Sequence, residues 1–219
     1  MRVHRAGVAR ATDFLQFVFE GYSRRGITVL TDRKKAISGI LTLMQKSFRD
    51  PGPYGVFKFG LHRLLLWYRS DPSTSRIIYG SQDQVPHWSW MAYAGKIKYM
   101  VGVNHKLNPV CAKDLYLNER GIELTGKDRK FQRCQIGRDK SIYDGYVKVG
   151  FTGFDTIQNR SCDGVMVTAW SGSSELKPDD FLFLLLVGKP GPGREYHRVG
   201  IAEVKADYIS RSGNYVVIK

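Results

Sequence analysis

Cysteine is scarce in this chain. Cys111, Cys134 and Cys162 are odd in number, widely spaced and without a C-x-x-C pair. That excludes the disulfide framework of a small secreted domain and points to a reducing compartment, the cytoplasm. Histidine is as thin: His4, His62, His87, His105 and His197 are scattered, so no zinc-like spacing forms, and neither a metal nor a cofactor is expected. Long apolar runs are missing too. The longest, Phe181 to Val187, has seven residues, far short of the roughly 20 a membrane-spanning helix needs. It reads instead as a strand buried on both faces. Arg2, Arg5 and Arg10 precede the first acid, Asp13, in the manner of a mitochondrial presequence, but the apolar region of a secretory signal does not follow. Without that signal the acceptor triplet Asn159-Arg160-Ser161 is incidental.

Catalytic motifs are also wanting. There is no G-x-S-x-G elbow, P-loop or H-E-x-x-H, and Gly191-Pro192-Gly193 lacks the third glycine of a dinucleotide fingerprint. We therefore expect no catalytic, cofactor-binding or metal-binding residues, and no enzyme.

Acidic residues are outnumbered, 20 against 34 Lys and Arg, for a net charge of +14. The excess is uneven: residues 1–76 carry 14 bases against 5 acids (+9), and residues 148–219 carry 9 against 8 (+1). Such asymmetry suits an interface with nucleic acid, an anionic membrane or an acidic partner. Arg24-Arg25, Arg33-Lys34-Lys35 and Lys127-Asp128-Arg129-Lys130 are the runs that could contact phosphates. Basic runs are more often solvated faces, and no RNA-binding aromatic signature reinforces these.

What is present is a core. Hydrophobic residues make up 42% and aromatics 12% of the 219 residues, the content of a globular protein. Phe14, Leu15, Val18 and Phe19 share one helical face and predict a helix over 12–22; Ile27–Thr31 reads as a brief extended segment. Thr31 as cap, Asp32 against the dipole, and Ala36, Ile37, Ile40, Leu41, Met44 and Phe48 as a stripe predict a second helix, ending before Asp50-Pro51-Gly52-Pro53. Leu61, Leu64, Leu65 and Tyr68 outline a third.

After residue 76 the pattern favours strands, around 85–93, 96–101, 131–136, 146–151, 165–170, 181–187, 198–204 and 215–218. Lys189 to Gly193 reads as a loop between two neighbouring strands. The expected fold is α+β, with a helical layer over 1–76 packed on an antiparallel β-rich remainder over 77–219, sandwich-like or a partly open barrel, in one folded unit.

The densest feature is Val85-Pro86-His87-Trp88-Ser89-Trp90-Met91-Ala92-Tyr93, followed by Gly95 to Met100. On a strand, a spacing of two puts Trp88 and Trp90 on one face, so the stretch predicts a tryptophan-rich hairpin anchoring the core, with His87 exposed or locally hydrogen bonded. Pro-x-Trp-Ser-Trp followed by a Gly-x-Ile-x-Tyr strand resembles the region downstream of the heterokaryon-incompatibility (HET) domain in fungal HET-domain proteins. Phe14 to Ile40, with its Tyr-Ser-x-Arg and Asp-Arg, is similar to an earlier segment of that region. Leu61 to Tyr68 resembles its Leu-Leu-Trp helix, and Phe181 to Ala202 its apolar strand and Arg-Val-Gly-Ile. Ala202 replaces a final glycine and Lys98 stands where an acid is common, while residues 101–160 match poorly. The resemblance implies a noncatalytic scaffold or regulatory region acting in nonself recognition and cell death, with a protein partner or an upstream HET domain. A basic nucleic-acid-binding module is the alternative. The family's death-triggering residues have no matching positions here.

If both indoles anchor the core, Trp88→Ala and Trp90→Ala should each cost about 3 to 5 kcal/mol. Denaturant unfolding beside the parent checks this, and two variants of parental stability would make the stretch a surface platform instead.

Overall fold

The computed structural model describes residues 5–71, 75–80, 83–100, 114–154, 162–170, 177–178, 180–188 and 196–219. The fold is α+β, with helices in the N-terminal part and antiparallel sheets forming a half-barrel in the rest. The chain divides into two compact units, residues 1–100 with 117–123, and residues 101–116 with 124–219. The layer boundary expected near residue 76 thus falls inside the first unit.

In the first unit α1 (Arg5–Ser23) buries Thr12, Leu15, Phe19 and Ser23, spaced to share one face. A single 3₁₀ turn, Leu30–Asp32, replaces the extended segment expected there. It leads into α2 (Arg33–Phe48), which buries Arg33, Ile37 and Leu41. Asp32, not Thr31, occupies the cap position; its side chain makes no capping bond and pairs with Lys35 at 3.5 Å. Ala36, placed in the stripe by periodicity, is exposed. Arg49 ends α2 in the left-handed region (φ 52°), just before Pro51.

The third helix is far shorter than its leucine pattern suggests. α3 covers only Leu61–Leu64, because Leu64, Leu65, Leu66 and Trp67 are all fully buried and no single helical face can hide four consecutive residues. The chain turns extended as β1 (Trp67–Arg69), which pairs antiparallel with β2 (Ile97–Tyr99), Trp67 opposite Tyr99. The expected Trp88–Trp90 hairpin strand is likewise corrected. Residues 87–92 form turns and a 3₁₀ helix, Trp90–Ala92, because Ser89 caps it, its Oγ accepting from Met91 N at 3.1 Å.

The second unit is built on one sheet. Its strands are β3 (Leu115–Leu117), β4 (Leu124–Arg129), β5 (Gln135–Ile136), β6 (Ser141–Asp144), β7 (Val147–Phe154), β8 (Cys162–Trp170), β9 (Phe181–Gly188), β10 (His197–Lys205) and β11 (Tyr215–Ile218). They run in the order β11-β4-β8-β9-β10-β7-β6-β5, with β3 beside β4. The expected strands over 146–151, 165–170, 181–187, 198–204 and 215–218 correspond to β7 to β11. The strand expected over 131–136 is formed only at β5, and β3, β4 and β6 have no counterpart among the expected strands. The expected loop over 189–193, the triplet Asn159–Ser161 and Cys111 lie outside the described residues.

β9 is buried along almost its whole length, and residues 182–187 alternate between two faces that are both covered. Leu182, Leu184 and Leu186 pack with Ile142, Val149, Val199, Val204 and Ile209. Two glycines shape the strands around β7. Gly150 on β7 lies so close to β10 that a Cβ there would meet Glu203 O at 2.3 Å, so no other residue fits. Gly145, at φ 57°, closes the two-residue turn that joins β6 to β7.

Glu203 is the anomaly of this sheet. It sits in register between Phe151 on β7 and Phe183 on β9, half-buried, and burial raises its carboxyl above the ordinary value of 4.5. A raised acid stabilises the fold only while protonated: that contribution is complete below the unfolded value and is lost as pH rises through the folded one. Glu203→Gln should therefore melt at a higher temperature than the parent at pH 7, with the difference vanishing in acid below pH 4.5. Thermal melts across that range check it.

Candidate functional site

Several residues singled out by sequence meet in the first unit, around Arg33. Its guanidinium is 2% exposed and pairs with no carboxylate among the described residues. Backbone oxygens solvate it instead. Nη1 donates to Tyr93 O, and Nη2 donates to Gly95 O at 3.3 Å and Ser23 O at 3.5 Å. Its carbon centre stands 5.1 Å from the Trp90 ring centroid, a cation–π contact strengthened by the absence of water. Burial lowers its pKa from the ordinary arginine value. Tyr22 closes the assembly by donating to Arg33 O at 3.1 Å.

Each contact is positioned by a different element. α1 supplies Ser23 and Tyr22, α2 opens on Arg33, and the segment between the 3₁₀ turn and β2 supplies Tyr93 and Gly95. Trp90 packs on Phe19 at 4.9 Å and meets Tyr22 edge-on at 6.0 Å. Gly55, at φ 74°, leaves room for the indole: a Cβ there would lie 2.8 Å from Trp90 Nε1. Trp88 meets Tyr54 edge-on at 5.9 Å, and its carbonyl accepts the Trp67 indole N–H at 3.1 Å. Ser89 Oγ donates to Tyr54 O at 2.8 Å. Both indoles of the Pro-x-Trp-Ser-Trp stretch are fully buried.

His87 is half-buried, with Nδ1 3.4 Å from the Tyr93 hydroxyl. Tyr79 donates to Met91 O at 2.8 Å, and burial pushes its hydroxyl up to about 12. Tyr79 therefore remains protonated at neutral pH and holds backbone; it is not poised for proton transfer.

Two arginines of the basic runs need correction as solvated residues. Arg33 belongs to the core, Lys34 reaches Asp83 at 3.4 Å, and Arg24 faces Glu20 at 3.7 Å. In the second unit Arg129 is 8% exposed, joins Asp114 at 2.7 Å, and donates to Ser210 O and Arg211 O. Asp128 accepts from Asn214 N and is buried as well. Two arginines counted as phosphate ligands are thus structural donors. Sequence reasoning missed them because a run of like charge does not say which member turns inward.

A cavity of about 550 Å³ opens in the second unit beside β5 and β6, lined by Arg133, Cys134, Gln135, Gly137 and Tyr143 among others. Burial pushes the Cys134 thiol up to about 11, so at neutral pH it is not the thiolate a nucleophile requires. Arg133 is occupied by Asp207 at 3.2 Å. Among the described residues no three His, Cys, Asp or Glu side chains group as a metal site.

Comparisons with protein-family models, curated proteins and solved structures give no match to this chain.

Removing the guanidinium would strand the carbonyls of Tyr93 and Gly95 in the core. Arg33→Ala should cost about 2 to 5 kcal/mol, since buried carbonyls lose their donor and the truncation leaves a cavity. Arg33→Lys should recover little of it, since an ammonium cannot match the planar fork or the stacking on Trp90. Denaturant midpoints of the two variants check both statements.

Proposed function

We propose that the chain is a noncatalytic scaffold or regulatory region of a fungal HET-type protein, acting in the cytoplasm in nonself recognition and cell death through a protein partner or an upstream HET domain. The observation that supports this reading is the convergence of three of the four resembling segments. Tyr22, Ser23 and Arg33 come from one, Trp67 from another, and Trp88, Ser89 and Trp90 from a third. All seven join a single network of buried rings and side-chain-to-backbone hydrogen bonds. Residues that interlock in this way support a fold rather than a reaction, because the hydrogen bonds they make go to backbone groups. The nucleic-acid alternative loses support from the same geometry, since Arg33 and Arg129 face inward and Lys34 is ion-paired.

The test is a fungal growth assay with this chain joined downstream of a HET domain. Cell death should require the folded chain and be weakened by Trp90→Ala, while the purified chain alone should neither turn over nicotinamide dinucleotide nor retain DNA or RNA at low salt. Death that is identical with and without the chain, or turnover by the chain alone, overturns the proposal.

A further inference from the structure

The outer face of α1 has no role in the core. Arg10, Phe14, Phe17 and Gly21 follow one another at intervals of four, three and four residues, which places them on one stripe of the helix, and Arg24 continues the spacing one residue past its end. All five are exposed, Phe14 by 46% and Phe17 by 78%, while Leu15 and Phe19 face inward at 0%. Two aromatic rings therefore project into solvent between arginines, with Arg25 exposed just beyond the helix.

Both acids of α1 have partners of their own. Asp13 Oδ1 accepts from Arg63 at 2.5 Å, and Glu20 Oε1 accepts from the backbone N–H of Tyr99 at 2.7 Å. Glu20 keeps a second, longer contact with Arg24 at 3.7 Å, and Arg24 remains 54% exposed. At Gly21 a Cβ would meet nothing within 4 Å, so the helix backbone lies open between Phe17 and Arg24.

We infer that this stripe seats the protein peripherally on an anionic lipid surface. The charge selects the occupant, since three arginines beside two exposed rings complement acidic headgroups over an apolar layer. Size argues the same way. Two partly exposed phenylalanines offer roughly 250 Å² of apolar area, against about 800 Å² per partner in a stable protein interface. A bilayer does not require so large a patch, because rings and charges act one by one on a continuous surface. Among the described residues no helix is long and apolar enough to cross a membrane. The inference stands independently of the function proposed above.

The experiment is cosedimentation of the full chain with vesicles of phosphatidylcholine, with and without phosphatidylserine, at low salt and at about 0.15 M salt. The parent should pellet with the phosphatidylserine vesicles only, and less at the higher salt. Phe14→Ser with Phe17→Ser should weaken binding at least tenfold, and Phe17→Leu should retain it. Near-ultraviolet circular dichroism of the tryptophans reports that each variant is folded; both positions are exposed, so parental spectra are expected. Failure to pellet at low salt overturns the inference. So does binding that the serine variant leaves unchanged, or a dimer in sedimentation equilibrium that Phe17→Glu dissociates, which would make the stripe a contact between copies.

Discussion

A buried guanidinium must be solvated by whatever surrounds it, and the first unit is arranged to solvate Arg33. Backbone oxygens of Ser23, Tyr93 and Gly95 replace water, and the face of Trp90 supplies the remaining stabilisation. These groups lie 10 to 62 residues from Arg33 in the chain, so a single side chain ties the end of α1, the start of α2 and the approach to β2 to one point. The desolvation of a lone charge is costly, and the site is tolerable only when all of these elements are in place. That gives a polar contact the strictness of a jigsaw piece: an apolar residue of similar size would fill the volume but would leave three carbonyls with less to bond.

The second unit is organised mainly by its sheet, although Arg129 and Arg198 are buried there too. There the organising strand is β9, whose residues are covered on both faces, and register is fixed by long antiparallel ladders to β8 and β10. Charged groups occur where backbone needs donors or acceptors, as with Arg129 and Asp128 around Ser210 to Asn214. Polar side chains in both units therefore act chiefly on main-chain atoms. A functional reading built on charge runs alone misjudges this protein, because charge and exposure are uncoupled at its most buried arginines.

Much of the fold could be read from residue types. The seven apolar residues of β9 announce a strand covered on both sides, and the Pro51-Gly52-Pro53 turn marks the end of α2. The failures have particular causes. Leu61 to Tyr68 carries a helical pattern, yet tertiary burial of four consecutive residues turns the chain extended after Leu64. Trp88 and Trp90 are spaced for one face of a strand, but Ser89 bonds both Tyr54 O and Met91 N and winds the segment into a 3₁₀ turn. β4 (LTGKDR) offers little alternation because Thr125, Asp128 and Arg129 are buried polar residues whose partners lie far along the chain. The Asp144-Gly145 dipeptide was a usable turn signal for the hairpin of β6 and β7. For the site, the tryptophans were legible as core from their size, whereas nothing local distinguishes Arg33 from Lys34 beside it.

The pairing of β4 with β11 sets an order on biosynthesis. Lys127 lies opposite Tyr215, and Leu124 opposite Ile218, so β4 gains this neighbour only after about 90 further residues have left the ribosome. At common translation speeds that interval is roughly 5 to 20 s, long compared with hairpin formation. During it the side of β4 that will receive β11 presents unpaired N–H and C=O groups. Lys127 and Asp128 stand on that strand, and charge of both signs on a waiting edge disfavours its capture by a second nascent chain. The polar character that hid β4 from a hydrophobic pattern is thus what protects it while it waits.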